Sequence, residues 1–463
     1  METDNNEKRE RNLFLTLGEI ENAVCGKTTA STDKSNIVSS IFTDSREVNS
    51  NKNGLFAAIK GEHIDAHSFV DEVTANGCFS LVEDSNYFID NTILVDSTKN
   101  SLLELASWYR KEKLSNTKII AVTGSVGKTS TKDMVALAVG AGLKVNKTKG
   151  NKNSLIGLPL SIMETETDKD VAVLEVGISE PNEMTKLSKA SQPNIAIITN
   201  IGYSHIEALG SRENICTEKL AVADYMPNDG MLILNGDEPL FKKKDKHPQK
   251  KIYCSIKNTE SDCFSTNIKE FDGQTYFTSH IFGKSVSVTL NTLGLHNVSN
   301  ALFALTAASL LGVDLIKATE ALSKFEASGL RQKIYKKDGY TIIADCYNAS
   351  PESMVAALSV LGEQKGKKIA VLGDMLELGS FAHMLHEKVG QSVLENRIDI
   401  LITFGSLSKS IAIPVLGKIE VYSFEEDEYD KAADFLRSIL TTGDYVLYKA
   451  SNRMKLQKII EKV

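Results

Sequence analysis

The segment Thr123-Gly-Ser-Val-Gly-Lys-Thr-Ser130 follows an abrupt β-branched run, Ile119 to Val122, and precedes a helical pattern, Lys132 to Leu143. A strand, a glycine-rich turn and a helix in that order let backbone N–H groups and the helix N-terminus converge on phosphate oxygens. This is the construction of a nucleoside triphosphate site. Gly124, Ser125, Val126, Gly127 and Ser130 form the cradle, Lys128 meets the β and γ phosphates as a point charge, and the Thr129 hydroxyl is placed to bind magnesium. Only two residues, Ser125 and Val126, separate the glycines, a tighter loop than the general pattern.

Such a loop needs a sheet beneath it, and the chain has room for more than one. At 463 residues it is expected to form about three domains of roughly 150 residues. Apolar residues at 42% and charged residues at 24% place it among globular chains rather than disordered or fibrous ones. A formal charge of -7 gives no general attraction to nucleic acid or anionic membrane, so phosphate chemistry must be local. The six cysteines, at 25, 78, 216, 254, 263 and 346, include no CxxC pair, which argues against a zinc cage or a disulfide framework. The polar start, Met1 to Arg11, and the lack of any run of about 18 apolar residues predict a cytoplasmic protein that is neither exported nor inserted in a membrane.

Strands alternate with helices through the middle of the chain: Ile119–Val122, Val171–Val176, Ile195–Thr199 and Met231–Leu234. That alternation predicts a mostly parallel sheet with ligands at the carboxyl ends of its strands. A second series, with strands Thr341–Ala344, Ile369–Leu372, Ile398–Phe404 and Tyr445–Lys449, reads as a smaller doubly wound domain. The α/β chain therefore divides into units 1–115, 116–325 and 326–463, and the lysine-rich stretch Lys242–Lys251 is expected to be a solvated loop.

The short phosphate loop resembles that of the Mur ligase family, and further segments resemble family motifs along most of the chain. The resemblance implies a small N-terminal uridine-nucleotide-binding domain, a central ATPase-like domain and a C-terminal Rossmann-like domain. It implies magnesium held by Thr129 and by Glu175 of Leu174-Glu-Val-Gly177, and a second ion served by His205 and Lys219 of the Thr199-to-Lys219 signature. Lysine cannot bind a cation as an ammonium. The family carbamylates this lysine, which turns it into an anionic oxygen ligand and requires the neutral amine that burial favours. Asn297 and Asn300 in Gly294-Leu-His-Asn-Val-Ser-Asn300, together with Arg331 and Asp345, correspond to the ATP contacts, although Leu330 interrupts the usual Gly-Arg pair. Lys128, His205 and Lys219 are thereby the expected catalytic residues.

Ser45 and Arg46 resemble family positions that meet the uridine substrate, Asn151 and Asn153 those that meet the muramoyl peptide, and Tyr347 and Asn348 those that shape the cleft. Leu372-Gly-Asp-Met-Leu-Glu-Leu-Gly379, with His386 and Gly390, resembles the dipeptide-adding branch, and the Asp-Asn-Pro-Arg element of the third-residue-adding branch does not occur. The implied substrates are ATP, UDP-N-acetylmuramoyl-tripeptide and D-alanyl-D-alanine, and the implied enzyme is a monomer. Two alternatives stay open at this point. One is another ligase of the superfamily, third-residue-adding or folylpolyglutamate-synthase-like. The other is a nucleotide-driven switch or motor.

Overall fold

The computed structural model describes residues 13–463, so the polar run Met1 to Arg11 lies outside the described residues. No described helix is long and apolar enough to cross a membrane.

Three larger sheets carry the chain, beside a two-stranded antiparallel pair of Leu15–Thr16 with Ile37–Val38. The first is a four-stranded parallel sheet ordered Ile41–Phe42, Leu55–Ala57, Phe79–Val82, Thr92–Leu94. Asp44-Ser-Arg46 and Lys60-Gly-Glu-His63 follow its first two strands, at their carboxyl ends, the side on which open parallel sheets bind ligands. The helix Thr98–Glu112 then leads to the central sheet, and the Ser97 side chain caps it by accepting from the Asn100 N–H.

The central sheet has nine strands. From one edge they run Lys284–Leu290, Gln274–Ile281, Cys263–Phe271, Lys250–Ser255, Met231–Asn235, Ile195–Ile198, Lys118–Thr123, Val171–Glu175 and Val145–Lys147. The first three pair antiparallel and the rest parallel. The chain leaves Lys118–Thr123 with later strands on both sides of it. This is a topological switch point, where an open parallel sheet leaves a crevice for a ligand. The antiparallel extension alternates buried and exposed residues, as one covered face requires. Its cover is the helix Leu295–Leu310, whose Ala301, Ala304 and Ala308 share one buried cluster with Val135 and Ala138 of the helix Lys128–Gly140. Small residues on one face let two helices approach closely, and each fully buried large aliphatic side chain around them contributes about 1.5–3 kcal/mol.

Two sequence expectations are corrected here. The helix after the phosphate loop starts at Lys128, not Lys132, because Gly127 takes a φ of 84° and turns the chain directly into it. Lys242–Lys251 is not one solvated loop. Phe241 is buried, anchoring a short helix Leu240–Lys244, and the strand Lys250–Ser255 begins within the stretch.

The C-terminal sheet is ordered Lys333–Lys337, Tyr340–Ala344, Tyr445–Lys449, Lys368–Gly373, Ile400–Phe404, Glu420–Phe424, parallel except for the first pair. Asp345 directly follows its second strand and Lys449 ends its third, which brings both to the sheet's carboxyl edge facing the central unit.

Candidate active site

The phosphate loop is held by its neighbour strand. Ser125 N–H donates to the Asn200 carbonyl at 3.2 Å and Val126 N–H to Asn200 Oδ1 at 2.9 Å. Thr199 Oγ1 and Asn200 Nδ2 in turn donate to the Val126 carbonyl, at 2.6 and 3.2 Å. The N–H groups of Ser125 and Val126 are thus engaged, and the donors left for phosphate are those of Gly127 and the first helical turn, which have no intrahelical partner. A Cβ on Gly124 would fall 1.9 Å from Thr199 Oγ1, so only glycine allows this bracing. Lys128 lies back over the loop and donates to the Gly124 and Ser125 carbonyls at 2.9 and 3.3 Å. Burial lowers the pKa of its amine, Glu175 opposes that, and Arg331 adds to it.

Glu175 is buried at the end of its strand. Its Oε1 accepts from Asn153 Nδ2 at 2.8 Å, while its Oε2 is buried with no hydrogen-bond partner. An unsatisfied buried carboxylate oxygen is costly, and one placed among Lys128, Thr129 and the loop suits a hard cation. Among the described residues no three His, Cys, Asp or Glu side chains gather into a self-contained metal site, so a cation at Glu175 would share hydroxyl and phosphate oxygens.

Lys219 is 1% exposed on the helix Arg212–Leu220. Burial first, then the nearby Lys128 charge, holds its amine well below the ordinary lysine range, with Glu218 opposing. His205 begins the short helix Ile206–Leu209 at a φ of 61°, and its Nδ1 lies 2.6 Å from Glu377 Oε2.

The far wall comes from the C-terminal unit. The Arg331 guanidinium stacks 3.6 Å from the centre of the Tyr347 ring. Asp345 accepts from Lys449 Nζ at 2.6 Å and from the Gln332 N–H at 3.2 Å. Glu352 Oε1 accepts the Tyr203 N–H at 3.0 Å, across the boundary between the two sheets, and burial raises its pKa. Ser350 caps the helix Pro351–Gly362 by accepting the Ser353 N–H.

One cavity of about 520 Å³ joins these groups. Its lining includes Ser125, Val126, Gly127, Lys128, Thr129, Ser130, Asn151, Asn153, Glu175, His205, Asn297, Asn300, Arg331, Asp345, Tyr347 and Asn348. Asn300 Oδ1 accepts from Thr131 Oγ1 at 2.9 Å and so braces the helix behind the loop, whereas Asn297 Nδ2 donates to the Leu293 carbonyl at 2.8 Å and holds the turn before its own helix; both also face the cavity. Four expected residues, Ser45, Arg46, Gly124 and Lys219, do not line it among the described residues. Arg46 pairs with Asp44 at 2.6 Å on the exposed N-terminal sheet edge.

Sequence reasoning did not single out Asn200, Glu352, Glu377 or Gln332. Asn200 lay inside the recognised signature and carried a signal, being a polar residue one position after a strand beside the loop.

The chain matches the model of the Mur ligase middle domain over residues 122–308 and that of the Mur ligase, glutamate ligase domain over residues 331–452. It is 37% identical to the UDP-N-acetylmuramoyl-tripeptide–D-alanyl-D-alanine ligase of Bacillus subtilis, over 92% of this chain and 93% of that one. Among solved structures it resembles MurF from Acinetobacter baumannii, with a TM-score of 0.89, 29% identity and coverage of 97% and 98% of the two chains. It also resembles the MurF ligase of Thermotoga maritima in complex with ADP, with a TM-score of 0.82, 28% identity and coverage of 91% and 96%.

Proposed function

The chain belongs to the Mur ligase family, and on that premise we propose that it joins D-alanyl-D-alanine to UDP-N-acetylmuramoyl-tripeptide at the expense of ATP. The products are UDP-N-acetylmuramoyl-pentapeptide, ADP and phosphate, a step in building peptidoglycan precursors. The observation that carries this reading is the single cavity lined both by the phosphate loop and by Arg331, Asp345 and Tyr347 of the C-terminal sheet.

A carboxylate cannot expel oxide at neutral pH, so the tripeptide carboxylate must first gain a leaving group. Its oxygen attacks the γ phosphorus, the bond from that phosphorus to the β–γ bridging oxygen breaks, and ADP departs from an acyl phosphate. The dipeptide amine then attacks the acyl carbon, the carbon–oxygen bond to phosphate breaks, and the nitrogen loses a proton. Lys128 and the free N–H groups of Gly127 and the first helical turn neutralise charge that would repel the incoming carboxylate. Asn151 and Asn153 are placed to hold the acceptor peptide, and Asn297, Asn300, Arg331 and Asp345 the nucleotide. Ser45 and Arg46, at the carboxyl ends of the N-terminal strands, are assigned to the uridine end. Magnesium bound at Thr129 and Glu175 would supply further charge neutralisation at the phosphates.

Lys219 fits the carbamate assignment for a physical reason. The Lys128 charge disfavours a protonated amine on buried Lys219, whereas a carbamate on Lys219 would turn that repulsion into attraction and provide oxygens for a second ion beside His205. We assign the units 1–115, 116–325 and 326–463 to uridine substrate, ATP, and ATP with dipeptide, and place the enzyme in the cytoplasm.

Phosphate release measured with UDP-N-acetylmuramoyl-tripeptide and D-Ala-D-Ala, against single amino acids, tests the reading. Release that requires both the tripeptide and the dipeptide is the expected result. Release with ATP alone would point to a switch or motor, and release with a diamino acid in place of the dipeptide to the third-residue-adding branch.

A further inference from the structure

The loop Asp374–Gly379 belongs to the C-terminal unit, yet it meets the central unit at His205. Glu377 Oε2 lies 2.6 Å from His205 Nδ1, and the Glu377 carbonyl accepts the Glu207 N–H at 3.4 Å. Both partners hold a left-handed backbone, Glu377 at a φ of 63° and His205 at 61°. Glutamate is not a residue type that adopts it readily, and such a conformation persists where the surroundings over-determine it.

The surroundings of Glu377 do so. The Met375 N–H donates to His386 Nε2 at 3.0 Å and the Leu376 N–H to Ser451 Oγ at 3.0 Å. Asp374 Oδ1 accepts the Ser408 N–H at 2.7 Å, and the Asp374 carbonyl accepts the Ser451 N–H at 3.0 Å. The carboxylate is therefore delivered by a braced loop rather than by a loose surface side chain. Its side chain is 64% exposed, so the pair contributes little to folding, and its geometry needs another explanation.

A carboxylate on one imidazole nitrogen fixes the proton there and leaves the other nitrogen as an oriented, more basic ligand. We propose that Glu377 is a positioning residue that keeps the His205 proton on Nδ1 and presents Nε2 to a divalent cation in the cleft, so that this cation site is complete only when the C-terminal unit is docked. The proposal rests on the reading of His205 as a cation-serving residue. It gives the Gly373–Gly379 segment a task besides marking the dipeptide-adding branch.

Two measurements on the full chain test it. With ¹⁵N-labelled histidine, and His205→Ala to assign the resonance, neutral His205 should carry its proton on Nδ1 in the wild type and in Glu377→Gln, whose amide oxygen still accepts. It should move toward the Nε2–H form in Glu377→Ala. The magnesium concentration giving half-maximal ligation should rise by about tenfold in Glu377→Ala, the lower end of the loss expected for an outer-shell partner, with an intermediate rise in Glu377→Gln and the KM for ATP at saturating magnesium unchanged. An unmoved tautomer or an unmoved magnesium requirement in Glu377→Ala overturns the proposal. If His205→Ala also leaves the magnesium requirement unmoved, the reading of His205 itself fails. If His205→Ala raises it while Glu377→Ala does not, only the role of Glu377 is lost.

Discussion

The two walls of the cleft are made differently. On the central side the phosphate loop is a backbone device, in which Thr123, Ser125 and Val126 are locked to Thr199 and Asn200 by main-chain, hydroxyl and amide hydrogen bonds. On the C-terminal side the wall is a set of side chains: Arg331 on Tyr347, Asp345 on Lys449, Glu352 reaching to Tyr203 and Glu377 reaching to His205. The first wall stands on one sheet and needs no partner. The second acts on the reactants only where the two sheets meet. Charge neutralisation therefore belongs to an element of one sheet, while substrate engagement belongs to an interface between two.

Changes on the first wall should act on chemistry without touching domain contact. Lys128→Ala should lower kcat by about 10³-fold, in the range for removing a principal charge-stabilising donor, with a thermal midpoint shifted by a few degrees at most. Near-normal turnover in that variant would remove the nucleotide assignment. Lys219→Ala should be nearly as severe and partly restored by formate or acetate, since a small carboxylate can occupy the space of the carbamate. Equal restoration by chloride would argue against an oxygen ligand.

Changes at the interface should be milder and should spare nucleotide binding. A Cβ on Gly202 would lie 2.5 Å from the Glu352 carboxyl carbon, so Gly202→Ala should push that carboxylate off the Tyr203 N–H and reduce ligation by about 10-fold, a fraction of what a misplaced contact can cost. Affinity for a fluorescent ATP analogue should hold. Loss of nucleotide binding would mean the walls are not separable in this way.

The smallest effect concerns pH. Burial raises the Glu352 pKa above its usual 4.5. A group with a raised folded pKa contributes stability that is present below the unfolded value and is lost as pH rises through the folded one. The interface should therefore weaken as pH climbs from about 4.5 through the raised value, and Glu352→Gln should flatten that slope. Thermal midpoints of both proteins between pH 5 and 8 measure it, and parallel curves would count against it.

The same contrast decides what could be read from residues alone. The loop was legible because its chemistry is written in adjacent residues, and the parallel strands because each is a short buried run such as Ile119–Val122. The helix start was misplaced by four residues because the dihedral of Gly127, not the apolar pattern, sets it. Asn200, Glu352 and Glu377 were not assigned roles, because each acts on a residue from a distant part of the chain, as with Glu352 and Tyr203, 149 positions apart. Nothing local marks a carboxylate that will be buried against another unit's backbone. Asn297 and Asn300 were legible as a motif, while the bracing of the helix behind the loop by Asn300 needed the packed helices to be seen.

The claim on which the rest depends is that the cleft activates a carboxylate with the γ phosphate of ATP. UDP-N-acetylmuramoyl-tripeptide labelled with ¹⁸O in its terminal carboxylate, turned over with ATP and D-Ala-D-Ala in unlabelled water, tests it directly. The account predicts one ¹⁸O atom in each phosphate released. Phosphate free of label, with pentapeptide still formed, would contradict it.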